Sequence, residues 1–267
     1  MPESQPVLWS LDARGVATVT LNRPHVNNAY NRAMLDGLIA AMEDLGKKPG
    51  LRVVVLKGAG KHFQCGADLK WIDEVRRSSL EVNMDSSRAT ATAVDRLNRL
   101  LVPTVALIHG GCFGGGTGIV SAVDVAVGAD DAMFSIAEVR WGLAPGIIIP
   151  QLNDAISVRQ VRRYALTGER FGAEEARRIG LLHEVVPRAD LEAAGERIVA
   201  ALLENGPEAI AETKGVILNY SWGDFSAEDF RGLTARHSFK RMSPEGAEGL
   251  ASFAEKRPAA WSPNRKR

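Results

Sequence analysis

Two glycine-bearing turns are the first candidates for chemistry in this chain. FQCGADLKW, residues 63–71, comes soon after the apolar run LRVVVLK, and GCFGGGTG, residues 111–118, comes soon after TVALI. Glycine inside a regular element costs about 0.5–1 kcal/mol relative to alanine, so three in a row, Gly114, Gly115 and Gly116, need a reason. Each turn presents backbone N–H groups at the start of a predicted helix, where no intrahelical acceptor exists and the helix dipole is positive. Two such turns converging on one point would bind an oxyanion. Taken singly, each also reads as an ordinary strand-to-helix connection. A phosphate loop fits poorly, because neither GxxxxGK[S/T] nor GxGxxG followed by an acidic residue is present.

The elements that must position these turns follow from hydrophobic patterning. Strands are expected at Gly15–Asn22, Leu51–Lys57, Thr104–Ile108 and Asp124–Val127. Helices are expected at Asn31–Lys47, from Asp68 onward, at Met84–Leu101 before Pro103, and at Gly114–Ala122. Strands alternating with helices argue an α/β domain. From about Pro150 the character becomes helical: Ile156–Leu166, Ala173–Ile179, Leu191–Glu204, Pro207–Tyr220, Ala227–Lys240 and Glu245–Glu255. The expected division is an α/β core over residues 1–200 and a helical region over 201–267. No internal repeat and no low-complexity tract is visible in the sequence.

Composition bounds the function. The chain has 267 residues, 45% apolar and 24% charged, with a net charge of +1. It is long enough for a sizeable core, and its charge balance points away from nucleic acid and anionic membranes. No apolar run reaches the ~18–20 residues of a membrane span, and the first residues lack the pattern of a secretory signal. The two cysteines, Cys65 and Cys112, form neither a disulfide framework nor a CxxC site. They read as small buried residues and suggest a reduced, cytoplasmic protein. The five histidines, His25, His62, His109, His183 and His237, have no ligand-like spacing, so neither a metal nor a redox cofactor is expected. Asp124, at the head of a strand, is expected to make a structural polar contact.

Five stretches, in order, resemble the enoyl-CoA hydratase/isomerase, or crotonase, superfamily: VTLNRPHVNNAYNRAML, VVVLKGAGKHFQCGADLK, PTVALIHGGCFGGGTGIVSAVDVAV, AMFSIAEVRWGLAPG and YALTGERFGAEEARRIGLLHEVVP. Together they cover about residues 15–190. The resemblance implies an α/β fold, a spiral of ββα repeats followed by a helical trimerisation region, assembled as a homotrimer or homohexamer. It implies an acyl-CoA substrate and no cofactor beyond the CoA that the substrate carries.

The same resemblance assigns roles. The thioester oxygen would lie between the N–H groups of Ala67 and Gly115, where an enolate forms. Hydratases of the family use two glutamates. The first position corresponds to Gly118, which has no carboxylate, and the second to Glu138, expected to be the acid/base. CoA is expected along Ala67, Asp68, Leu69 and Lys70 and against Arg23, Val26 and Asn28, with Lys256 and Arg257 able to reach nucleotide phosphates. The stretches FGGGTGI, EVRWGLAP and RRYALTGERF look closest to hydratases of 3-methylglutaconyl-CoA and isohexenylglutaconyl-CoA. Arg140 could meet the second carboxylate of such a substrate, and Trp71 and Trp141 could line its acyl pocket. The alternatives are a Δ3–Δ2 enoyl-CoA isomerase working with one glutamate, and a non-catalytic member that binds CoA thioesters.

Overall fold

The computed structural model describes residues 5–220, 228 and 243–264. Valine-rich runs buried on both faces favour a parallel sheet, and here they build one. β2 (Val16–Leu21), β3 (Val53–Gly58), β5 (Thr104–Ile108) and β7 (Val125–Ala129) lie side by side and parallel. The sheet continues into β10 (Glu184–Val186) at one edge and into antiparallel β1 (Val7–Leu11) at the other. Thr18, Val55, Val105 and Val125 form one row across four strands. The four predicted strands are all present, with β3 starting at Val53 rather than Leu51.

A second, smaller sheet was not expected from hydrophobic patterning. It consists of β4 (Gln64–Cys65), β6 (Gly111–Phe113), β8 (Met133–Ser135) and β9 (Phe171–Gly172). The first three run parallel and β9 pairs antiparallel with β8. The chain gives one strand to each sheet and then a helix, three times over. β3 and β4 lead to α2 (Leu69–Arg77) and α3 (Leu80–Asn98). β5 and β6 lead to α4 (Gly115–Ser121). β7 and β8 lead to a 3-10 turn at Glu138–Trp141 and then α5 (Ile149–Thr167). This is the coil of ββα units that the sequence resemblance implies.

α1 (Arg32–Gly46) starts where Asn31 accepts a hydrogen bond from the Met34 amide at 3.1 Å. Its apolar stripe, Leu38, Met42 and Leu45, is buried in one core with Ala93, Val94 and Leu97 of α3. α3 begins at Leu80, ahead of the predicted Met84, because Ser79 caps it. On the far face of the large sheet, α7 (Leu191–Leu203) buries Leu191, Ala194, Val199 and Leu203 against Val53, Val105, Leu107 and Val127. α6 (Ala173–Ile179), α8 (Pro207–Tyr220) and α9 (Pro244–Ala254) complete the described helices. The helix expected at Ala227–Lys240 lies outside the described residues. No helix among the described residues is long and apolar enough to cross a membrane.

Asp124 ties α8 to the sheet. Its Oδ2 accepts from the Thr104 amide at 2.7 Å, the Thr104 hydroxyl at 2.8 Å and Lys214 Nζ at 2.7 Å. Lys214, 7% exposed, also donates to the Val102 carbonyl. Burial lowers its pKa, and the Asp124 carboxylate works against that shift.

Candidate active site

The small sheet delivers three segments to one edge. The register pairs Gln64 with Cys112 and Cys65 with Phe113, so the segments that lead on to Ala67 and to Gly115 leave neighbouring parallel strands in the same direction. β8 ends at Ser135, and its carbonyl accepts from the Gly114 amide at 2.8 Å, so the chain reaches Glu138 beside the same turn. Ligands in parallel α/β architectures bind at these carboxyl ends of strands. Among the described residues, neither the Ala67 N–H nor the Gly115 N–H has an acceptor. An oxygen seated against both would receive two preorganised hydrogen bonds.

Each glycine of the triplet admits a different neighbour. A Cβ on Gly114 would lie 3.0 Å from Glu138 Oε1, one on Gly115 2.6 Å from Tyr30 Cε1, and one on Gly116 2.5 Å from Gln64 Oε1. Gly114 also turns the chain at φ +52°, ψ −123°, a conformation that side chains disfavour. Fully buried Gln64 fastens the first turn: its Nε2 donates to the Gly66 carbonyl at 2.8 Å and its Oε1 accepts from the Gly66 amide at 2.9 Å. The amide plane of Gln64 thus holds Gly66, and with it the direction of the Ala67 N–H.

Glu138 opens its 3-10 turn and stands against Gly114. Its Oε2 is buried and, among the described residues, has no hydrogen-bond partner. Burial pushes the carboxyl pKa up, and its own backbone N–H pulls against that. A carboxylate with an unclaimed oxygen and a raised pKa is suited to accept and return a proton. Gly118 is closed to any side chain, since a Cβ there would lie 2.2 Å from Ile148 Cγ2.

The other predicted residues divide. Arg23 and Asp68 are brought together as a largely buried ion pair, Nη2 to Oδ2 3.0 Å, and Asp68 also caps α2 through the Lys70 amide. Val26 sits part-buried in the 3-10 turn Pro24–Val26. Leu69 and Lys70 are exposed beside Ala67. Asn28 lies apart from any surface. It is fully buried at φ +55°, its Oδ1 accepts from the Arg23 amide, and its Nδ2 donates to the carbonyls of Ala59, His62 and Phe63. Its polar atoms are all spent on closing the loop.

Arg140 is exposed, leans on Gly168 and, among the described residues, has no carboxylate partner. Trp71 meets the edge of Tyr30 with ring centroids 5.8 Å apart, whereas Trp141 is 71% exposed. Arg257 pairs with Glu248 and Glu255 of its own segment. Burial raises the Cys65 thiol to about 11 and the Cys112 thiol well above its usual value, so both stay protonated. Sequence reasoning missed Gln64, Tyr30 and Ile148. Tyr30 and Ile148 act by contact with segments distant in the chain, which no local pattern marks, and the two bonds from Gln64 to Gly66 depend on its side chain being turned inward.

The profile of the enoyl-CoA hydratase/isomerase family matches residues 12–264. The chain is 34% identical to a hydroxycinnamoyl-CoA hydratase-lyase of Pseudomonas fluorescens, over 75% of this chain and 74% of that one. It is 27% identical to a mitochondrial Δ(3,5)-Δ(2,4)-dienoyl-CoA isomerase of Dictyostelium discoideum, over 92% and 87% of the two chains. It superposes on the crystal structure of an enoyl-CoA hydratase from Shewanella pealeana with a TM-score of 0.92, at 32% identity, covering 97% of each chain.

Proposed function

The chain belongs to the enoyl-CoA hydratase/isomerase family, and from that premise we propose that it adds water across the 2,3 double bond of an enoyl-CoA thioester. The thioester oxygen sits against the N–H groups of Ala67 and Gly115. Glu138 takes a proton from water as the water oxygen bonds to C3, and the double-bond electron pair moves onto the thioester oxygen as an enolate. The enolate then collapses, C2 taking the proton from the Glu138 carboxylic acid. The net change is H at C2 and OH at C3, with Glu138 regenerated. Each enolate donor is worth roughly 2.7–4 kcal/mol. The observation that carries this reading is the buried, unpartnered Glu138 Oε2 beside a turn whose Gly115 N–H is unclaimed.

CoA is assigned to the strip formed by Arg23, Val26, Asp68, Leu69 and Lys70. The acyl chain is assigned as branched and glutaconyl-like, because Arg140 offers an unpaired cation two residues beyond Glu138. The groove beside Trp71, about 420 Å³, is lined by Glu74, Glu81 and Asp85 with Arg32 as its one cation, already paired with Asp85, so its acidic excess disfavours a second carboxylate there. This chemistry calls for no group beyond the CoA of the substrate. The assembly we assign is a homotrimer or homohexamer through the helical region after residue 200.

A second reading is Δ3–Δ2 enoyl-CoA isomerisation. Ile148 beside Gly118 favours it, since a single carboxylate suffices to carry a proton from C2 to C4 or back. Absorbance of the conjugated enoyl thioester decides. Purified protein is mixed with crotonyl-CoA, 3-methylglutaconyl-CoA, isohexenylglutaconyl-CoA and a 3-enoyl-CoA, with Glu138→Gln alongside. The expected result is loss of the band with a glutaconyl-type thioester, abolished in Glu138→Gln. Gain of the band from the 3-enoyl substrate selects isomerisation, and band loss independent of Glu138 overturns the assignment of the acid/base.

A further inference from the structure

Tyr30 is the polar side chain at this centre that the reaction above leaves unused. Its backbone runs beside Ala67, the amide donating to the Gly66 carbonyl at 2.9 Å and the carbonyl accepting from the Asp68 amide at 2.8 Å. Its ring crosses to the other turn, where a Cβ on Gly115 would lie 2.6 Å from Cε1 and 3.1 Å from Oη. Trp71 holds the ring from the side at 66°. Tyr30 therefore spans both turns, fixed by backbone at one end and by two residues along its ring. Among the described residues its hydroxyl has no hydrogen-bond partner. Burial, and after it the charge on Glu138, pushes its pKa up to about 12, so it stays a neutral phenol.

The helix geometry sharpens the point. Cα–Cβ bonds on a helix tilt toward its N-terminus, and a long side chain covers residues three and four before its own. A carboxylate carried by residue 118 would therefore end above Gly115 and Gly114. Those places are taken: Tyr30 Oη stands over Gly115 and Glu138 Oε1 over Gly114. The root of such a side chain is filled by Ile148. The Tyr30 phenol thus stands over Gly115 while the buried, unpartnered Oε2 of Glu138 stands by the adjoining Gly114.

We infer that the Tyr30 hydroxyl hydrogen-bonds the oxygen that adds to C3, holding it against Glu138 Oε2. This rests on the hydration reading. The two hydrogens of the incoming water go to Glu138 Oε2 and Tyr30 Oη, which leaves a water lone pair for C3. In the product the phenol turns donor to the new C3 hydroxyl, since a tyrosine hydroxyl serves in both senses.

The test is calorimetric titration of wild type and Tyr30→Phe with butyryl-CoA and 3-hydroxybutyryl-CoA, which differ only in the C3 oxygen, with turnover of crotonyl-CoA measured in parallel. Tyr30→Phe is expected to bind 3-hydroxybutyryl-CoA roughly fivefold more weakly and butyryl-CoA as before, with kcat reduced and KM little changed. Equal weakening of both thioesters, or of neither, overturns the inference. Hydration that depends on Glu138 but not on Tyr30, without the titration contrast, removes Tyr30 alone. A titration contrast in a protein that hydrates no thioester removes the hydration reading and leaves the contact to a C3 oxygen standing.

Discussion

Ile148 occupies the space that any side chain on Gly118 would need, with its Cγ2 2.2 Å and its Cβ 2.7 Å from where a Cβ would sit. The two residues are a matched pair: a bare helix position and a branched side chain, 3% exposed, filling it. The pairing keeps a second carboxylate off position 118 and leaves Glu138 as the carboxylate beside the glycine turn.

Gly118→Ala is therefore expected to cost about 1–3 kcal/mol by overpacking. Ile148→Ala alone is expected to cost about 2–5 kcal/mol. Because each substitution relieves the other, the double variant should lose less than the sum of the singles. Urea unfolding of the four proteins measures this coupling.

Glu138→Gln should lower kcat by about 10²–10⁴-fold while leaving KM for the thioester nearly unchanged. It should also stabilise the fold at pH 8. Burial raises the folded-state pKa of Glu138 above its unfolded value, so folding favours the protonated form. The associated stability is present at low pH and is lost as pH rises through the folded pKa. The gain in Tm of Glu138→Gln over wild type should be largest at pH 8 and vanish toward pH 4, as thermal unfolding at both pH values would show.

Gln64→Leu would strip the Gly66 amide of its acceptor and leave the Gly66 carbonyl with the Tyr30 amide alone. About 1–3 kcal/mol is expected for each buried group left unsatisfied. The Ala67 N–H would lose its fixed direction, so kcat should fall more than thioester affinity. Steady-state kinetics beside a binding titration separates the two effects.

Removing the acceptor that serves Lys214 should be worse than removing Lys214 itself. Asp124→Ala leaves the buried Lys214 ammonium with the Val102 carbonyl but no counter-charge, and the Thr104 amide and hydroxyl without their acceptor, and should cost at least about 1.5–3 kcal/mol. Lys214→Met replaces the ammonium by an apolar side chain of similar length and should cost less. Denaturant midpoints of the two variants give the order.

Arg140→Ala should raise KM for 3-methylglutaconyl-CoA several-fold and leave crotonyl-CoA unaffected, as expected for an unpaired surface cation meeting a second carboxylate. Equal effects on both thioesters would detach Arg140 from acyl recognition.

The four inner strands of the large sheet were legible because they are apolar runs long enough to show a pattern, as in Val53–Leu56, whereas its edge strands β1 and β10 were not expected. β4, β6 and β9 were not, since strands of two or three residues carry no period. Their pairing is decided by the chain they lie against. The same distinction holds in the site. Ala67, Gly115 and Glu138 were singled out through the family resemblance of the stretches around them, and Asp124 from its place at a strand head. The saturated amide of Asn28 could not be foreseen, because its partners Ala59, His62 and Phe63 come from another turn of the coil. Tyr30, in NNAYN, reads as loop, and only the register with Ala67 and the bare α-carbon of Gly115 show what it faces.

The small sheet separates what must stay fixed from what is free to vary. Ala67, Gly115 and Glu138 each follow a short strand whose neighbours lock its register, so inserting one residue in any of these three connections would move a reacting group by about 3.3 Å and destroy the centre. The groove beside Trp71 is walled mainly by α2 and α3, which pair with none of the four short strands and can exchange side chains without touching that register. Divergence among descendants of such a chain would accumulate in these helices, and a change in what the groove admits would be reached by far fewer mutational steps than a change of reaction.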